Sequence, residues 1–202
     1  MVAMIPVGAQ PEPADFDAKV RVRGARSMRT KGIDPDQPLP VDKKLSPFWR
    51  DCLDDLYREY SQTCAYLAVY IERAVGGVTA DHFVAKSKMP GQAYEWANFR
   101  LASSIVNARK CDFDDVLDPF VLLPEWFRLD LVTGQIYPNS DLDPADIERV
   151  ADTIERVGLD NETNRKMRAR HFQYYCEGDI TEKFLRGYSP FVCYEAERQG
   201  LL

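Results

Sequence analysis

Apolar and polar positions along the chain follow two periods, and the change between them sets the expected elements. Ser46-Pro47 places a serine N-cap before a proline at the first helical position. Phe48, Trp49, Cys52, Leu53, Leu56, Tyr57 and Tyr60 follow at helical spacing, so an amphipathic helix is expected to about Ser61. Residues 64–71 (CAYLAVYI) form a continuous apolar run of types that suit strands. Gly76-Gly77 signals a turn and residues 78–83 read as a second short strand, so the two runs predict a hairpin. A loop around Pro90-Gly91 follows. Residues 93–110 read as a helix with Trp96, Phe99, Leu101, Ile105 and Val106 on its apolar side. Residues 116–127 are interrupted by Pro119 and Pro124 and read as irregular; residues 127–132 and 135–137 flank Thr133-Gly134 as a second hairpin. Helices are expected over 143–157, ending at Gly158, and over 161–177, 181–188 and 191–199. No internal repeat is present.

Residues 1–47 break this regularity. Six of the 13 prolines lie at positions 6, 11, 13, 35, 38 and 40, with Pro47 at the first helix. Proline at this density disfavours helices and central strands, so an extended N-terminal arm is expected. Its basic stretch from Lys19 to Lys31, with Arg21, Arg23, Arg26 and Arg29, reads as a solvated segment or as an arm lying along a phosphate backbone or a partner surface. The expected organisation is an arm (1–47), a central part (48–120), and a hairpin with helices (121–202).

At 202 residues the chain is long enough to bury a core without disulfides or metal. Its 45% hydrophobic and 29% charged residues are ordinary for a folded domain. No apolar run reaches the roughly 18 residues of a membrane span, and the first ten residues lack the basic flank of a signal peptide. The net charge of −6 excludes nucleic-acid binding through bulk charge alone. The five cysteines (52, 64, 111, 176, 193) form no CxxC pair, and reduced thiols in a cytoplasm are the simplest expectation.

The candidate chemistry gathers around one of only two histidines. Asp81-His82-Phe83 ends the expected second strand and Lys86-Ser87 follows. Tyr94-Glu95-Trp96-x-Asn98 and Asn107-x-x-Lys110 come next. This string resembles the HNH (ββα-metal, His-Me finger) endonucleases, and most closely the nuclease subunit of Septu-type anti-phage systems and the retron-associated HNH proteins. The matched core runs over residues 64–110, roughly a quarter of the chain, and Leu117-Asp118-Pro119-Phe120 is also similar to that group.

The resemblance implies an α+β fold with a ββα-metal core embedded among helices. It implies His82 as general base and Asp81 as a metal ligand, with Asn107 as second ligand from the helix. Asn98 would fix the loop and orient His82 through a hydrogen bond. Lys86, Arg109 and Lys110 would contact the phosphate backbone. The chemistry suits these residue types: an imidazole takes a proton from water near neutrality, and a hard cation such as Mg²⁺ or Mn²⁺ takes carboxylate, amide and water oxygens. Many relatives hold a structural zinc with two CxxC pairs. Here Cys64 faces Leu67 in the first pair and Ser103 and Val106 stand in the second, so no structural zinc is expected, with Leu67 and Val106 packing in its place.

The implied function is metal-dependent cleavage of DNA in bacterial defence, in the cytoplasm, with an ATPase subunit as partner and no membrane. An RNA or tRNA substrate stays open. The rival reading is a binding subunit that kept the ββα shape and lost activity. A cysteine hydrolase built on Cys176 and His171 is disfavoured, because five residues along one helix do not place two side chains face to face. The bland readings are a packed or surface His171, a salt-bridging Glu95, a solvated acidic loop at Asp112, Asp114, Asp115 and Asp118, and core packing for Trp49, Trp96, Trp126, Tyr174 and Tyr175.

Overall fold

Mixed helix and strand are distributed over two units in the computed structural model, which describes residues 7–74, 77–123 and 125–202. The Met1–Pro6 start, Gly76 of the expected turn and Pro124 lie outside them. One unit comprises residues 9–62 and 72–114, and the other residues 1–8, 63–71 and 115–202. These limits cut across the expected divisions at 47/48 and 120/121.

In the unit of residues 9–62 and 72–114, the expected extended arm is instead largely helical. A π-helical turn, Asp17–Arg21, runs into α1, Val22–Thr30. The prolines flank this stretch rather than interrupt it, so nothing in residues 14–34 blocks a helix. Phe16, Val20, Gly24 and Met28 recur every four residues and are buried, which docks one helical face. Much of the basic stretch is spent internally: Arg21 pairs with Glu12, Asp17 and Glu95, Arg23 with Asp51, and Lys19 with Asp15 and Asp55.

The helix expected from Ser46 begins as a 3₁₀ turn, Phe48–Cys52, and becomes α2, Leu53–Glu59. Ser46 does not cap it; its hydroxyl lies 2.8 Å from that of Ser27 and accepts from Lys31 Nζ.

Strand β1, Val78–His82, pairs antiparallel with β2, Phe99–Ser103, in the register Val78–Ser103 to His82–Phe99. Helix α3, Ser104–Lys110, follows β2 directly, capped by the Ser103 hydroxyl, and packs on both strands. The order is therefore strand, loop, strand, helix. The expected helix over 93–110 is confined to its last seven residues. Residues 99–102 are all buried, Arg100 among them, so the strand shows no alternation of exposed and buried positions to distinguish it from a helix.

Residues 64–71 are not the partner strand of β1. They belong to the other unit, where Thr63 bridges Tyr70, Cys64 N donates to Val69 O and Ala68 turns the chain at a φ of 47°. Their apolar side chains are nonetheless mostly buried there.

The remainder of that unit follows its sequence signals. Strands β3, Phe127–Leu129, and β4, Ile136–Pro138, form the expected hairpin. Helix α4, Pro144–Val157, starts on an Asp143 cap and stops at Gly158 with a φ of 65°. Helices α5, Glu162–Cys176, and α6, Glu182–Tyr188, start on Asn161 and Thr181 caps, and α7, Pro190–Arg198, completes the unit. Its core includes Phe127, Leu129, Val150, Leu185 and Phe191. Among the described residues, no helix is long and apolar enough to cross a membrane.

Candidate active site

Asp81 and His82 close β1 and are both buried, at 1% and 5% exposure. The imidazole is held on three sides. Trp49 meets it edge-on at 4.8 Å and Phe99 at 5.3 Å, while Nε2 lies 3.0 Å from the Ala93 carbonyl oxygen. A carbonyl only accepts, so Nε2 carries the hydrogen and the ring's lone pair is on Nδ1. Burial pushes the His82 pKa down to about 3, helped by the charges of Lys86 and Lys110 and opposed by the Ala93 hydrogen bond. The ring is a neutral imidazole at neutral pH.

Asn98 makes no hydrogen bond to His82, contrary to expectation. Its side chain is the clasp of the loop between the strands. Oδ1 accepts from Val84 N at 2.7 Å, and Nδ2 donates to Val84 O at 3.0 Å and Gln92 O at 2.9 Å. Gln92 precedes Ala93, so Asn98 acts on His82 through the segment that supplies the ring's acceptor. The Ala93 carbonyl was invisible to sequence reasoning, since any residue type supplies one.

Asn107 sits in the middle of α3, where its amide orientation is decided by Thr79. The Thr79 hydroxyl donates to Ala102 O at 3.0 Å, and so accepts from Asn107 Nδ2 at 3.1 Å. This assigns the amide nitrogen to Thr79 and leaves Oδ1 as the end open to a ligand. Thr79 carries no motif signal, and its role emerges only from the strand–helix packing.

Asp81, His82 and Asn107 share the wall of a cavity of about 930 Å³ with Trp49, Arg50 and Lys86. Lys86 is exposed, with its ammonium 5.5 Å from the centre of the Trp49 ring. Trp49 therefore gives an edge to His82 and a face to Lys86. The other expected phosphate contacts fare differently. Arg109 is exposed on α3 but is not part of the cavity wall. Lys110 is fully buried; Nζ donates to His82 O at 3.1 Å and Phe83 O at 3.0 Å, and lies 3.5 Å from Asp81 Oδ2. A side chain with no exposed surface does not reach a phosphate, so Lys110 is a structural tie beneath the Asp81-His82 pair.

Asp81 and Asn107 offer a carboxylate and an amide oxygen, hard donors of the kind Mg²⁺ or Mn²⁺ takes while keeping several waters. The donor set suits such an ion and is sparse: no group of three or more His, Cys, Asp or Glu side chains able to hold a metal exists among the described residues. Of the acidic run, Asp114 pairs with Lys88, Asp115 with Arg156, and Asp118 accepts from Phe120 N, while Asp112 is part of the cavity wall. His171 Nδ1 lies 2.7 Å from the Ser189 hydroxyl, and Glu95 binds Arg21. Cys52, Cys64 and Cys193 are buried and Cys111 and Cys176 exposed, all as free thiols. Val106 is buried on α3 and Leu67 half-buried in the other unit. Trp96 is buried, its indole donating to Gln10 O at 2.8 Å, while Tyr174 is exposed.

In comparison with known proteins, the chain matches no family model and no curated protein.

Proposed function

We propose that the chain is a metal-dependent endonuclease of the HNH type that hydrolyses phosphodiester bonds in DNA. The observation that carries this reading is the placement of His82. Its Nε2 hydrogen is committed to Ala93 and its lone pair is on Nδ1, on the wall of a cavity that it shares with two hard oxygen donors. The strand–loop–strand–helix order supports it, with Asp-His at the end of the first strand and Asn107 on the helix.

His82 Nδ1 takes a proton from the attacking water as the water oxygen adds to phosphorus. The phosphorus–oxygen ester bond opposite breaks, and the leaving oxygen takes a proton from solvent. Asp81 and Asn107 would hold the divalent cation, which supplies positive charge to the phosphoryl and leaving oxygens. Asn98 keeps the loop closed so that the Ala93 carbonyl fixes the tautomer. Lys86 offers its ammonium to a phosphate at the cavity mouth. The string's resemblance supports a cytoplasmic role in anti-phage defence with an ATPase subunit as partner.

One observation favours a second reading. Lys110 brings a buried ammonium to 3.5 Å from Asp81, where it competes with a cation for the carboxylate. A binding subunit with no activity would tolerate that.

The test is plasmid cleavage in Mg²⁺ or Mn²⁺ by wild type and His82→Ala, each alone and with an ATPase encoded beside it. Cleavage by wild type, reduced about 100-fold or more in the variant, supports the nuclease. Equal rates from both proteins place the activity elsewhere. Absence of cleavage in every mixture favours the binding subunit.

A further inference from the structure

The cavity has one wall that the motif does not supply. The 3₁₀ turn Phe48–Cys52 lies outside the string from Asp81 to Lys110, yet it contributes both Trp49 and Arg50 to the lining. Arg50 is exposed and is followed within five residues by Asp51, Asp54 and Asp55. Each of these carboxylates is taken by another cation: Asp51 by Arg23, Asp54 by Arg73, and Asp55 by Lys19 and Arg58. Among the described residues no ion pair forms on Arg50 itself. The acids next to Arg50 in sequence are thus consumed, and its guanidinium is left open on the wall that holds Asp81, His82, Asn107 and Asp112.

A planar guanidinium donates two parallel hydrogen bonds to two phosphate oxygens, which an ammonium does not. Lys86 lines the same cavity with its ammonium over Trp49, so two cations share the wall with His82. Trp49 is itself already occupied by His82 and Lys86, so it braces the wall rather than stacking a base.

Resting on the nuclease reading, we propose that Arg50 is the phosphate anchor of this site: its guanidinium binds a backbone phosphate of the nucleic-acid strand lying in the cavity. The turn thereby serves the reaction from outside the motif, with Trp49 against the His82 ring and Arg50 on the substrate. Arg26 is a matched comparison, because it is also exposed, also without an ion pair among the described residues, and on α1 away from the cavity wall.

The experiment measures binding of a fluorescein-labelled DNA oligonucleotide by anisotropy, in EDTA and over a series of NaCl concentrations. It uses the full chain as wild type, Arg50→Gln, Arg50→Lys and Arg26→Gln, with a thermal melt of each to establish folding. Arg50→Gln is expected to weaken binding about fivefold or more at low salt and to lower the slope of log affinity against log salt by about one ion. Arg50→Lys should recover part of the loss, and Arg26→Gln should match wild type. Binding and slope unchanged in folded Arg50→Gln would overturn the proposal, as would a loss of the same size in Arg26→Gln or no binding by wild type. Hydrolysis plays no part in this readout. If wild type binds through Arg50 and yet cleaves nothing with metal, the anchor stands and the nuclease reading fails. If wild type cleaves and Arg50→Gln cleaves with unchanged KM, only the anchor fails.

Discussion

His82 obtains its tautomer from Ala93 O, its orientation from Trp49 and Phe99, and its neutrality from burial. An ordinary imidazole loses half its basic form near pH 6.5. With the folded-state pKa down at about 3, the NMR signals of the His82 ring should not move between pH 8 and pH 5. A titration midpoint near 6.5 would contradict the clamped, desolvated ring. Thr79 sets Asn107 in the same way. Thr79→Val removes the acceptor for Asn107 Nδ2 and frees the amide to flip. On the nuclease reading, the Mg²⁺ concentration for half-maximal cleavage should rise about tenfold or more, with the rate at saturating Mg²⁺ largely kept and Thr79→Ser close to wild type. An unchanged metal requirement would show that Thr79 does not orient Asn107. Lys110→Met would remove a buried ammonium from beside the Asp81 carboxylate and the donor from two backbone carbonyls, a loss of about 3–5 kcal/mol in denaturant unfolding. A stability within about 1 kcal/mol of wild type would argue against Lys110 as a tie.

Elements were legible where the sequence carries a local stop or start. The Asp143, Asn161 and Thr181 caps, and Gly158 after α4, mark helix ends that depend on no distant partner. The β1 pairing was not legible, because residues 64–71 are the apolar run while 99–103 carry Arg100, and which of them pairs with β1 is a tertiary outcome. Helix α1 was hidden by the prolines on either side of it. Its docking depends on Gly24, where an added methyl would collide with the Tyr94 ring. Gly24→Ala should therefore destabilise the protein by about 1–3 kcal/mol, although alanine is the better helix former. A melting temperature equal to or above wild type would mean that α1 does not seat on Tyr94. Of the candidate site, the reactive types and their order could be read from the string. The groups that orient them could not, since a carbonyl, a threonine on a strand and an aromatic on a distant turn have no signature of their own.

Charge is distributed unevenly over the whole molecule. The unit that holds the cavity carries sixteen Lys and Arg against fifteen Asp and Glu, and the other unit ten against seventeen. The net acidity that argues against nucleic-acid binding thus belongs to the unit that does not hold the candidate site. Acid should also weaken the whole fold. His82 and His171 both have pKa values lowered by burial in the folded state. Below pH 6.5 the unfolded chain takes up protons that the folded chain refuses, so stability present above pH 6.5 is lost as pH falls toward the folded values. Melting temperature should decline from pH 7.5 to pH 5, and a flat or rising profile would contradict the burial of both rings.

The division of residues 63–71 from their neighbours in sequence bears on how the protein is made. Residues 9–62 and 72–114 are all available to one another once residue 114 has left the ribosome, whereas 63–71 belong with 115–202. At about 5–20 residues per second, CAYLAVYI waits roughly 5–20 s for its partners. During that interval an uncharged apolar octet, flanked by a half already able to close, is open to chaperones and to neighbouring nascent chains. Slowed translation over residues 115–202 should lengthen that exposure and lower the soluble yield, with no change in the sequence of the finished protein.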